Sequence, residues 1–362
     1  MKVYVAATRQ NDGKTIVSLG LISTFLKRGK KVGYIKPVGQ HYVEIEGHKV
    51  DEDAVLIKET YGIPGALCDM SPVAVPKGFT EKYIKHPDRN LLVNQITDAF
   101  SRASEDKNFV LIEGTGHAGV GSVFDMSNAD VAAMLGAKVL LVSSGGIGRP
   151  IDEIMLNKAL FDSMGVKILG AIVNKIQPEK YEKIAPLVRK GLERKGVEVL
   201  GVMPHNPVLS SPTMEELFAD IKGRLLSGAN RLNTVVKRTL VGAMSPHEAL
   251  RYFDDGTLLI TPGTREDMIL AALGSFGFGN ESCIAGIVLT GGIRPHARIM
   301  DLICRSEIPV IGVPDDTFTM ATRIDNLVVK VRPGDTPKIA AAEELVSQYL
   351  DIDRLMDMLS ET

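Results

Sequence analysis

The sequence contains few of the residues that build disulfide-bonded or metal-bound folds. Its three cysteines, Cys68, Cys283 and Cys304, lie far apart and show no paired spacing. This pattern excludes a disulfide framework and a cysteine-rich metal site, so we interpret the cysteines as small core residues in a reducing compartment. The seven histidines are scattered and also show no metal-ligand spacing.

Long apolar runs and an excess of one charge are missing as well. No stretch reaches the roughly 18 apolar residues that would span a bilayer. The chain begins with a predicted strand and has no apolar signal-peptide core, so we expect no secretory signal. A net charge of −2 gives no general attraction to nucleic acid or to an anionic membrane. We therefore predict a cytoplasmic protein with neither of these as a partner.

The sequence does contain a glycine-lysine-threonine loop between a strand and a helix. Residues 8–15 read Thr-Arg-Gln-Asn-Asp-Gly-Lys-Thr, after an apolar run at residues 3–7 and before an apolar helix start at residues 16–22. A plain surface turn would rarely have these flanks. The context instead directs backbone N–H groups and a helix N-terminus at one anion. We predict ATP binding at Thr8, Asn11, Asp12, Gly13, Lys14 and Thr15.

Two roles follow from the pattern G-x-x-x-x-G-K-[ST], which residues 8–15 match except at the first glycine. Lys14 would reach the β- and γ-phosphates, and the Thr15 hydroxyl would hold Mg²⁺. Two carboxylates are candidates to complete a magnesium site, because Mg²⁺ prefers hard oxygen ligands. These are Asp53 at a helix start and Glu113 at a strand end. Asp53 could instead be only a helix cap, and Glu113 could be structural.

Strands and helices alternate along the first 205 residues. Short, continuously apolar strands separated by helices indicate an α/β fold whose parallel sheet is covered by helices on both faces. In such a sheet, ligands bind at the carboxyl ends of the strands. We therefore predict Lys36, Glu113, Asn174 and Pro204 on the same rim as the loop. We also predict a loop at residues 39–50 and irregular structure at residues 62–86.

The length of 362 residues favours two domains. We predict that a helix beginning at Ser211-Pro212 runs to about residue 226 and that residues 227–230 are a linker. This gives a nucleotide-binding domain at residues 1–226 and a smaller α/β domain at residues 231–362. The second domain has no phosphate loop of its own. We assign to it a strand at residues 327–331 and a terminal helix over about residues 336–359.

Residues 1–205 resemble dethiobiotin synthetase and the related ATP-dependent ligases of cobyrinic acid amidation. The matching stretches are residues 8–15, 34–38 and 113–116, with Asp53-Ala54 and Asn174. Threonine in place of the first loop glycine is a feature of that family. The resemblance implies that Thr15, Asp53 and Glu113 form the Mg²⁺ shell, that Lys36 steadies carbamate and phosphoryl groups in catalysis with Lys14, and that Asn174 reads adenine. Alternatively, Lys36 is a solvated lysine and Asn174 forms a turn.

The same resemblance argues against dethiobiotin synthesis itself. The family usually carries an acidic residue where Asn11 or Asp12 stands, and its loop after Lys-Pro-Val is short and rich in serine and glycine, unlike residues 39–50. Relatives work as two-fold dimers, and some place a basic residue at the position of Arg9 to reach the partner's nucleotide. We therefore expect a homodimer, with a solvated loop arginine as the alternative for Arg9.

The C-terminal half resembles the DRTGG domain of long bacterial phosphate acetyltransferases. The matching stretches are residues 241–245, 260–267, 289–292 and 316–318, with Thr264 in place of the usual aspartate. The ligand candidates are Arg265, Asp267, Thr290, Gly291 and Gly292. Alternatively, the glycines only form turns and Arg265 pairs with an acid. The matched part of those enzymes ends before the acetyltransferase domain, so we expect no acetyl transfer.

Two functional hypotheses follow from these resemblances. In the first, the chain is a regulatory protein in which Mg-ATP in domain one is coupled to a small-acid or metabolite effector in domain two, and a separate acetyltransferase-type protein is a candidate partner. In the second, it is an ATP-dependent ligase that phosphorylates a carboxylate or carbamate for attack by an amine. The diverged loop and the attached domain favour the regulatory hypothesis.

Overall fold

The computed structural model describes residues 1–275 and 284–361, which form two compact units. The first unit contains residues 1–206 and 331–361, and the second contains residues 207–330. Each unit is an α/β fold with its own sheet. Among the described residues, no helix is both long and apolar enough to cross a membrane.

The first unit is built on a six-stranded sheet in which every neighbouring pair of strands is parallel. Its order is β10-β9-β8-β1-β7-β2, and small two-stranded ladders pair β3 with β6 and β4 with β5. The strands are Lys2–Ala7 (β1), Val32–Ile35 (β2), Val38–Gly39 (β3), Tyr42–Ile45 (β4), His48–Asp51 (β5), Val73–Ala74 (β6), Phe109–Glu113 (β7), Lys138–Ser144 (β8), Ile168–Ile176 (β9) and Val199–Pro204 (β10).

Helices cover both faces of this sheet. Because central strands such as β1 and β7 are buried along nearly their whole length, their sequences are continuously apolar, without alternation. The helices are Lys14–Lys27 (α1), Glu52–Tyr61 (α2), Leu67–Met70 (α3), Phe79–Lys85 (α4), Arg89–Ser104 (α5), Asn128–Met134 (α6), Gly148–Ser163 (α7) and Tyr181–Glu193 (α8). The predicted parallel sheet and its covering helices are confirmed.

The segment between β2 and α2 differs from the prediction. Residues 39–50 were expected to form a loop, but β4 and β5 form an antiparallel hairpin. Its turn uses Glu46 and Gly47, both with positive φ of 51° and 80°, as in two-residue hairpin turns. Residues 62–86, expected to be irregular, contain α3, β6 and α4. These elements are too short to produce a readable hydrophobic period.

The second unit has a mixed five-stranded sheet of order β11-β15-β14-β13-β12, in which only β11 is antiparallel to its neighbour. Its strands are Arg224–Ser227 (β11), Arg238–Val241 (β12), Thr257–Pro262 (β13), Gly286–Thr290 (β14) and Val310–Gly312 (β15). Its helices are Pro207–Ser210 (α9), Met214–Ile221 (α10), Pro246–Ala249 (α11), Glu266–Ser275 (α12), Ala297–Arg305 (α13) and Thr317–Asp325 (α14).

Residues along the central strands of the second sheet alternate between two buried clusters. Leu258 and Ile260 belong to one cluster, whereas Leu259 belongs to the other. The sheet of the predicted second α/β domain is therefore covered on both faces. Of the cysteines expected in the core, Cys304 is exposed and Cys68 is half-buried, while Cys283 lies outside the described residues.

The last helices, Thr336–Tyr349 (α15) and Ile352–Ser360 (α16), belong to the first unit. α15 packs along α1 where Gly20 has no side chain, since a Cβ there would lie 2.3 Å from Val346 Cβ. Arg354, in α16, forms an ion pair with Glu198 at 2.7 Å. The structure thus divides the chain differently from the predicted boundaries at residues 226 and 231, because this apolar contact and this ion pair bring the C-terminal segment back to the first unit.

Three further predictions about short segments are wrong. The helix expected up to residue 226 ends at Ile221, and the next residues form β11. The predicted linker at residues 227–230 lies inside the second unit, where Ser227 pairs with Val310 in the sheet. The strand predicted at residues 327–331 is not formed. The local sequence of each short segment is compatible with more than one secondary structure. Whether the segment forms a strand therefore depends on whether a distant strand pairs with it.

Candidate functional site

The loop between β1 and α1 is fixed to a neighbouring strand and needs glycine at its last position before the helix. Thr8 N donates to Val142 O at 2.8 Å, which fixes the start of the loop on the neighbouring strand. Gly13 immediately precedes α1 with φ of 104°, a conformation that side chains rarely adopt. A Cβ at Gly13 would also lie 2.2 Å from Asn174 Nδ2. Glycine is therefore needed at this position for two independent reasons.

A network of buried polar side chains holds the loop in place. Thr8 Oγ1 donates to Asp12 Oδ2 at 2.8 Å and lies 3.0 Å from Ser143 Oγ. Asp12 also accepts from Arg9 N at 2.8 Å and from the Ser144 hydroxyl. Burial raises the pKa of Asp12, although these hydrogen bonds oppose the rise. Thr8 thus gives the loop a side-chain brace that a glycine could not supply.

Three of the predicted magnesium ligands lie together at the start of α1. The Thr15 hydroxyl is 3.0 Å from Glu113 Oε1 and 3.3 Å from Asp53 Oδ1. Thr15 is in the first turn of α1, Glu113 is the last residue of β7, and Asp53 is in the first turn of α2. Three separate elements therefore bring hard oxygen atoms to one point, which is the donor set that Mg²⁺ prefers.

Lys36 is buried between two carboxylates. Its Nζ lies 2.9 Å from Asp51 Oδ1 and also forms an ion pair with Asp53. Burial alone would lower the pKa of Lys36, but the carboxylates of Asp53 and Asp51 raise it above its ordinary value. The alternative of a solvated lysine at this strand end is therefore wrong, since only 6% of Lys36 is exposed.

The same cluster shifts the pKa of Glu113 and Lys14. Burial, followed by the negative charge of Asp53, raises the pKa of Glu113 to about 7. Burial also lowers the pKa of Lys14, and the nearby Lys36 contributes to this. Among the described residues, the Lys14 ammonium has no hydrogen bond or ion pair. It is a half-buried cation without a partner, beside a loop shaped for an anion.

Pro204 ends its strand as predicted, whereas Asn174 lies inside β9, two residues before the strand ends, and its side chain is turned toward the loop. Its Nδ2 donates to Asp12 O at 3.0 Å, and its Oδ1 accepts from Lys175 N at 2.8 Å. Only 3% of Asn174 is exposed. These contacts favour the turn-forming alternative, and adenine recognition by Asn174 stays a prediction. Pro204 is half-buried at the last position of β10.

Several residues of the site were missed by the sequence analysis. Asp51 caps α2 by accepting from Asp53 N at 3.0 Å, and it also holds Lys36. Lys175 Nζ donates to Asn11 O at 2.6 Å, and its position near the carboxyl end of β9 was the available signal. Arg9 forms an ion pair with Glu153 at 2.8 Å within the same chain. Glu153 lies in α7, and nothing in the sequence indicated that this helix reaches the loop.

The second unit also gathers the ends of its strands. Arg265 forms a two-pronged pair with Asp267, at 2.9 and 3.0 Å, and donates to the carbonyls of Gly242 and Met244 at 3.1 and 2.9 Å. This is the alternative in which Arg265 pairs with an acid. Its guanidinium is thus engaged by this chain's own groups.

The remaining candidates of the second unit follow β14. Thr290 is buried, and its hydroxyl lies 2.7 Å from the Thr317 hydroxyl. Gly291 and Gly292 both have positive φ, and their N–H groups donate to Asp315 O and Val313 O at 2.8 and 3.0 Å. The structure therefore brings the loops after β14 and β15 together, and these glycines form turns there.

Curated proteins similar to this chain are phosphate acetyltransferases. The enzyme of Nitratidesulfovibrio vulgaris is 28% identical over 98% of this chain and 51% of its own length. That of a Synechocystis species is 27% identical over 99% of this chain and 51% of its own length. The chain thus spans about half the length of these relatives.

Solved structures that match part of this chain include a cell division protein complex. The MinC:MinD cell division complex of Aquifex aeolicus matches 57% of this chain and 83% of its own chain, with 18% identity and a TM-score of 0.39. At the level of families, residues 216–327 match the DRTGG domain. Residues 1–213, more than half of the sequence, match the AAA domain family designated AAA_26. The chain therefore belongs to this AAA domain family, with a DRTGG domain following its P-loop unit.

Proposed function

We propose that the first unit binds Mg-ATP and that the chain is a regulatory protein, related to the N-terminal region of phosphate acetyltransferases. The observation that carries the nucleotide site is the Thr15 hydroxyl within 3.0 Å of Glu113 and 3.3 Å of Asp53, directly after the Lys14 of a phosphate-type loop. Cation, hydroxyl and two carboxylates are the groups that a metal-bound phosphate needs.

In this proposal each residue has a separate task. Lys14 and the loop N–H groups bind the terminal phosphates, and Thr15, Asp53 and Glu113 hold Mg²⁺. The metal would neutralise phosphate charge when bound. Loading it requires Lys36 to keep only part of its present contact with Asp53, because one carboxylate cannot give all its lone pairs to both cations. Asp51 keeps Lys36 in place meanwhile, through its 2.9 Å ion pair.

The second unit favours regulation over a second reaction. Its predicted anion reader, Arg265, is engaged by Asp267 and two carbonyls, so an acidic effector would have to displace Asp267 to bind there. Such an exchange of partners is a plausible source of a two-state response. We extend the proposal to a homodimer in the cytoplasm, acting with an acetyltransferase-type partner protein, as the names of the relatives suggest.

Phosphate release by the full chain tests this function. We expect Mg-ATP to bind with measurable heat, and phosphate to be released slowly at a rate that small carboxylic acids and amines do not change. The control is the same titration with EDTA in place of Mg²⁺. Absence of ATP binding in the presence of Mg²⁺ would refute the nucleotide site, and rapid turnover on adding an acid and an amine would refute the regulatory role.

The second candidate function is an ATP-dependent ligase, and the buried Lys36 favours it. A lysine held by two carboxylates at 8% side-chain exposure is pre-positioned to steady a phosphorylated carboxylate or carbamate. This resembles the role of the corresponding lysine in dethiobiotin synthetase. The ligase proposal predicts phosphate release that stays silent until both the acid and the amine are present.

A further inference from the structure

The first unit contains a cleft at the end of α1 and α2 that is remote from the loop. Its volume is about 530 Å³, and all its lining residues belong to the first unit. α1 contributes its last turns, α2 its C-terminal end, and α15 its first turns. The lining residues that carry the argument are Lys27, Glu59, Thr60, Tyr61, Ile339 and Glu343.

One polar group in this cleft has no partner. The Thr60 hydroxyl is buried and makes no hydrogen bond among the described residues. A buried hydroxyl without a partner is unfavourable, so such groups usually mark a place for water or a ligand. The Thr60 hydroxyl is closed off from solvent, so an occupant of the cleft would reach it only after the Thr60 side chain rotates.

The charges of the cleft favour a cation. One positive and two negative side chains line it. Lys27 is neutralised by Glu343 at 3.0 Å, and Glu343 also accepts from the Tyr61 hydroxyl at 2.9 Å. Among the described residues, the Glu59 carboxylate has no hydrogen bond or ion pair. It is the uncompensated charge of the cleft.

Helix dipoles add to this negative potential. α1 and α2 both end at the cleft, and the C-terminal end of a helix carries about half a negative charge. The N-terminus of α15 opposes them, but the Asp335 carboxylate already caps it by accepting from Lys338 N. Two helix ends and one carboxylate thus remain to attract a positive group, while Leu26 and Ile339 supply apolar surface.

We propose that this cleft binds a small primary ammonium compound with a short apolar body. Its ammonium group would contact Glu59 and, after a rotation of the Thr60 side chain that exposes its hydroxyl, Thr60 as well, and its apolar part would lie against Ile339. We further infer that occupancy changes ATP affinity, because α1 starts at Lys14 and Thr15 and α2 starts beside Asp53. Each helix has one end in the nucleotide site and the other in this cleft. This coupling rests on the proposed function, whereas binding in the cleft does not.

The first experiment measures binding alone. The full chain is melted with n-butylammonium chloride, sodium butyrate or 1-butanol, at matched ionic strength. We expect only the ammonium probe to raise the melting temperature, increasingly with concentration, since a ligand that binds only the native state stabilises it. Equal shifts from all three probes, or no shift from butylammonium, would overturn the site.

Variants locate the effect. Glu59→Gln should abolish the butylammonium shift, and Thr60→Val, which keeps the volume and removes the unpartnered hydroxyl, should weaken it. Glu193→Gln, an exposed carboxylate at the end of α8, is the matched control and should respond as the wild type does. Loss of the shift in the control, or its persistence in both Glu59→Gln and Thr60→Val, would refute the assignment.

The second experiment measures coupling. ATP affinity is titrated with and without saturating butylammonium in the wild type and in Glu59→Gln. We expect a change of at least about fivefold in the wild type and none in the variant. An unchanged ATP affinity in a wild type that binds butylammonium would refute the coupling but keep the site. A failure of ATP to bind at all would instead refute the proposed function, and the melting experiment would still decide the cleft.

Discussion

The two units place charged residues at the ends of their parallel strands in different ways. In the first unit, Lys36, Asp51, Asp53 and Glu113 crowd together under the loop, while Lys14 has no partner among the described residues. In the second unit, Arg265 is satisfied by Asp267 and by two backbone carbonyls. The first unit therefore leaves the Lys14 ammonium without a partner among the described residues, whereas the second unit neutralises Arg265 with its own groups.

This difference indicates which charged residues at strand ends are available to bind a ligand. A charge that is fully paired within the chain contributes to the fold and must exchange partners before it can bind a ligand. A charge without a partner beside a cluster of the opposite sign is available to a ligand directly. Nucleotide binding is therefore expected to depend on single residues in the first unit, and stability is expected to depend on Arg265 in the second.

The largest expected effect would break the charge cluster of the first unit. Lys36→Met should lower the free energy of unfolding by about 3–5 kcal/mol, because it leaves the carboxylates of Asp51 and Asp53 buried without their cation. Urea unfolding measures this, with the exposed Lys82→Met as the control. A loss below about 1 kcal/mol would mean that the carboxylates find water or take up protons instead.

The next-largest expected effect is a loss of ATP binding without a loss of protein stability. Lys14→Ala should weaken ATP binding by about 2–5 kcal/mol, since it removes the charge opposite the phosphates. The melting temperature without nucleotide should stay within a few degrees of the wild type, because Lys14 has no partner to lose. Calorimetric titration measures the affinity, and Lys183→Ala in α8 serves as the control. Unchanged affinity would remove the distinction between the two rims.

A pH experiment sharpens the comparison. The raised pKa of Glu113, about 7, means that the folded chain holds a proton that the unfolded chain has released between about pH 4.5 and 7. Its contribution to stability is therefore present below pH 4.5 and is lost as the pH rises through 7. Glu113→Gln should flatten this decline by about 1–3 kcal/mol. Parallel stability curves of wild type and variant in urea at pH 5 and pH 8 would contradict the burial of a titrating carboxyl.

The smallest expected effect is in the second unit. Arg265→Ala should lower stability by about 1–2 kcal/mol, because three groups lose their donor on a partly exposed surface. Thermal unfolding measures this, with the exposed Arg251→Ala as the control. If stability is unchanged while binding of a small acid is lost, Arg265 is primarily a ligand residue and the two rims work alike.

The repeating part of this fold was predictable because its signals are local. Buried strands such as β1 and β7 are continuously apolar, and Asp51 precedes a helix with the acidic first turn that a helix N-terminus favours. The rule that the carboxyl ends of parallel strands form one rim predicted the position of Glu113. The grouping of Thr15, Asp53 and Glu113 followed from the resemblance to dethiobiotin synthetase and from the oxygen ligands that Mg²⁺ prefers. These predictions needed no knowledge of distant contacts.

The parts that failed depend on distant partners. β11 is four residues long and exists because it pairs with β15, so its own sequence could not separate it from the preceding helix. The ion pair between Lys36 and Asp51 joins the end of β2 to the β4–β5 hairpin. The hydrophobic pattern of the hairpin residues did not predict those strands. Likewise, nothing in residues 336–349 says that Val346 packs against Gly20. Such pairings depend on residues far apart in the sequence and cannot be predicted from either segment alone.

The return of α15 to α1 has a consequence for folding during synthesis. The first unit needs residues 331–361, yet the ribosome makes the complete second unit before them. At about 5–20 residues per second, residues 207–330 take roughly 6–25 s to appear. Throughout that interval the apolar side of α1 around Gly20 lacks its cover, whereas the second unit can already close. The nucleotide-binding unit, although encoded first, is therefore the later of the two to reach its final packing.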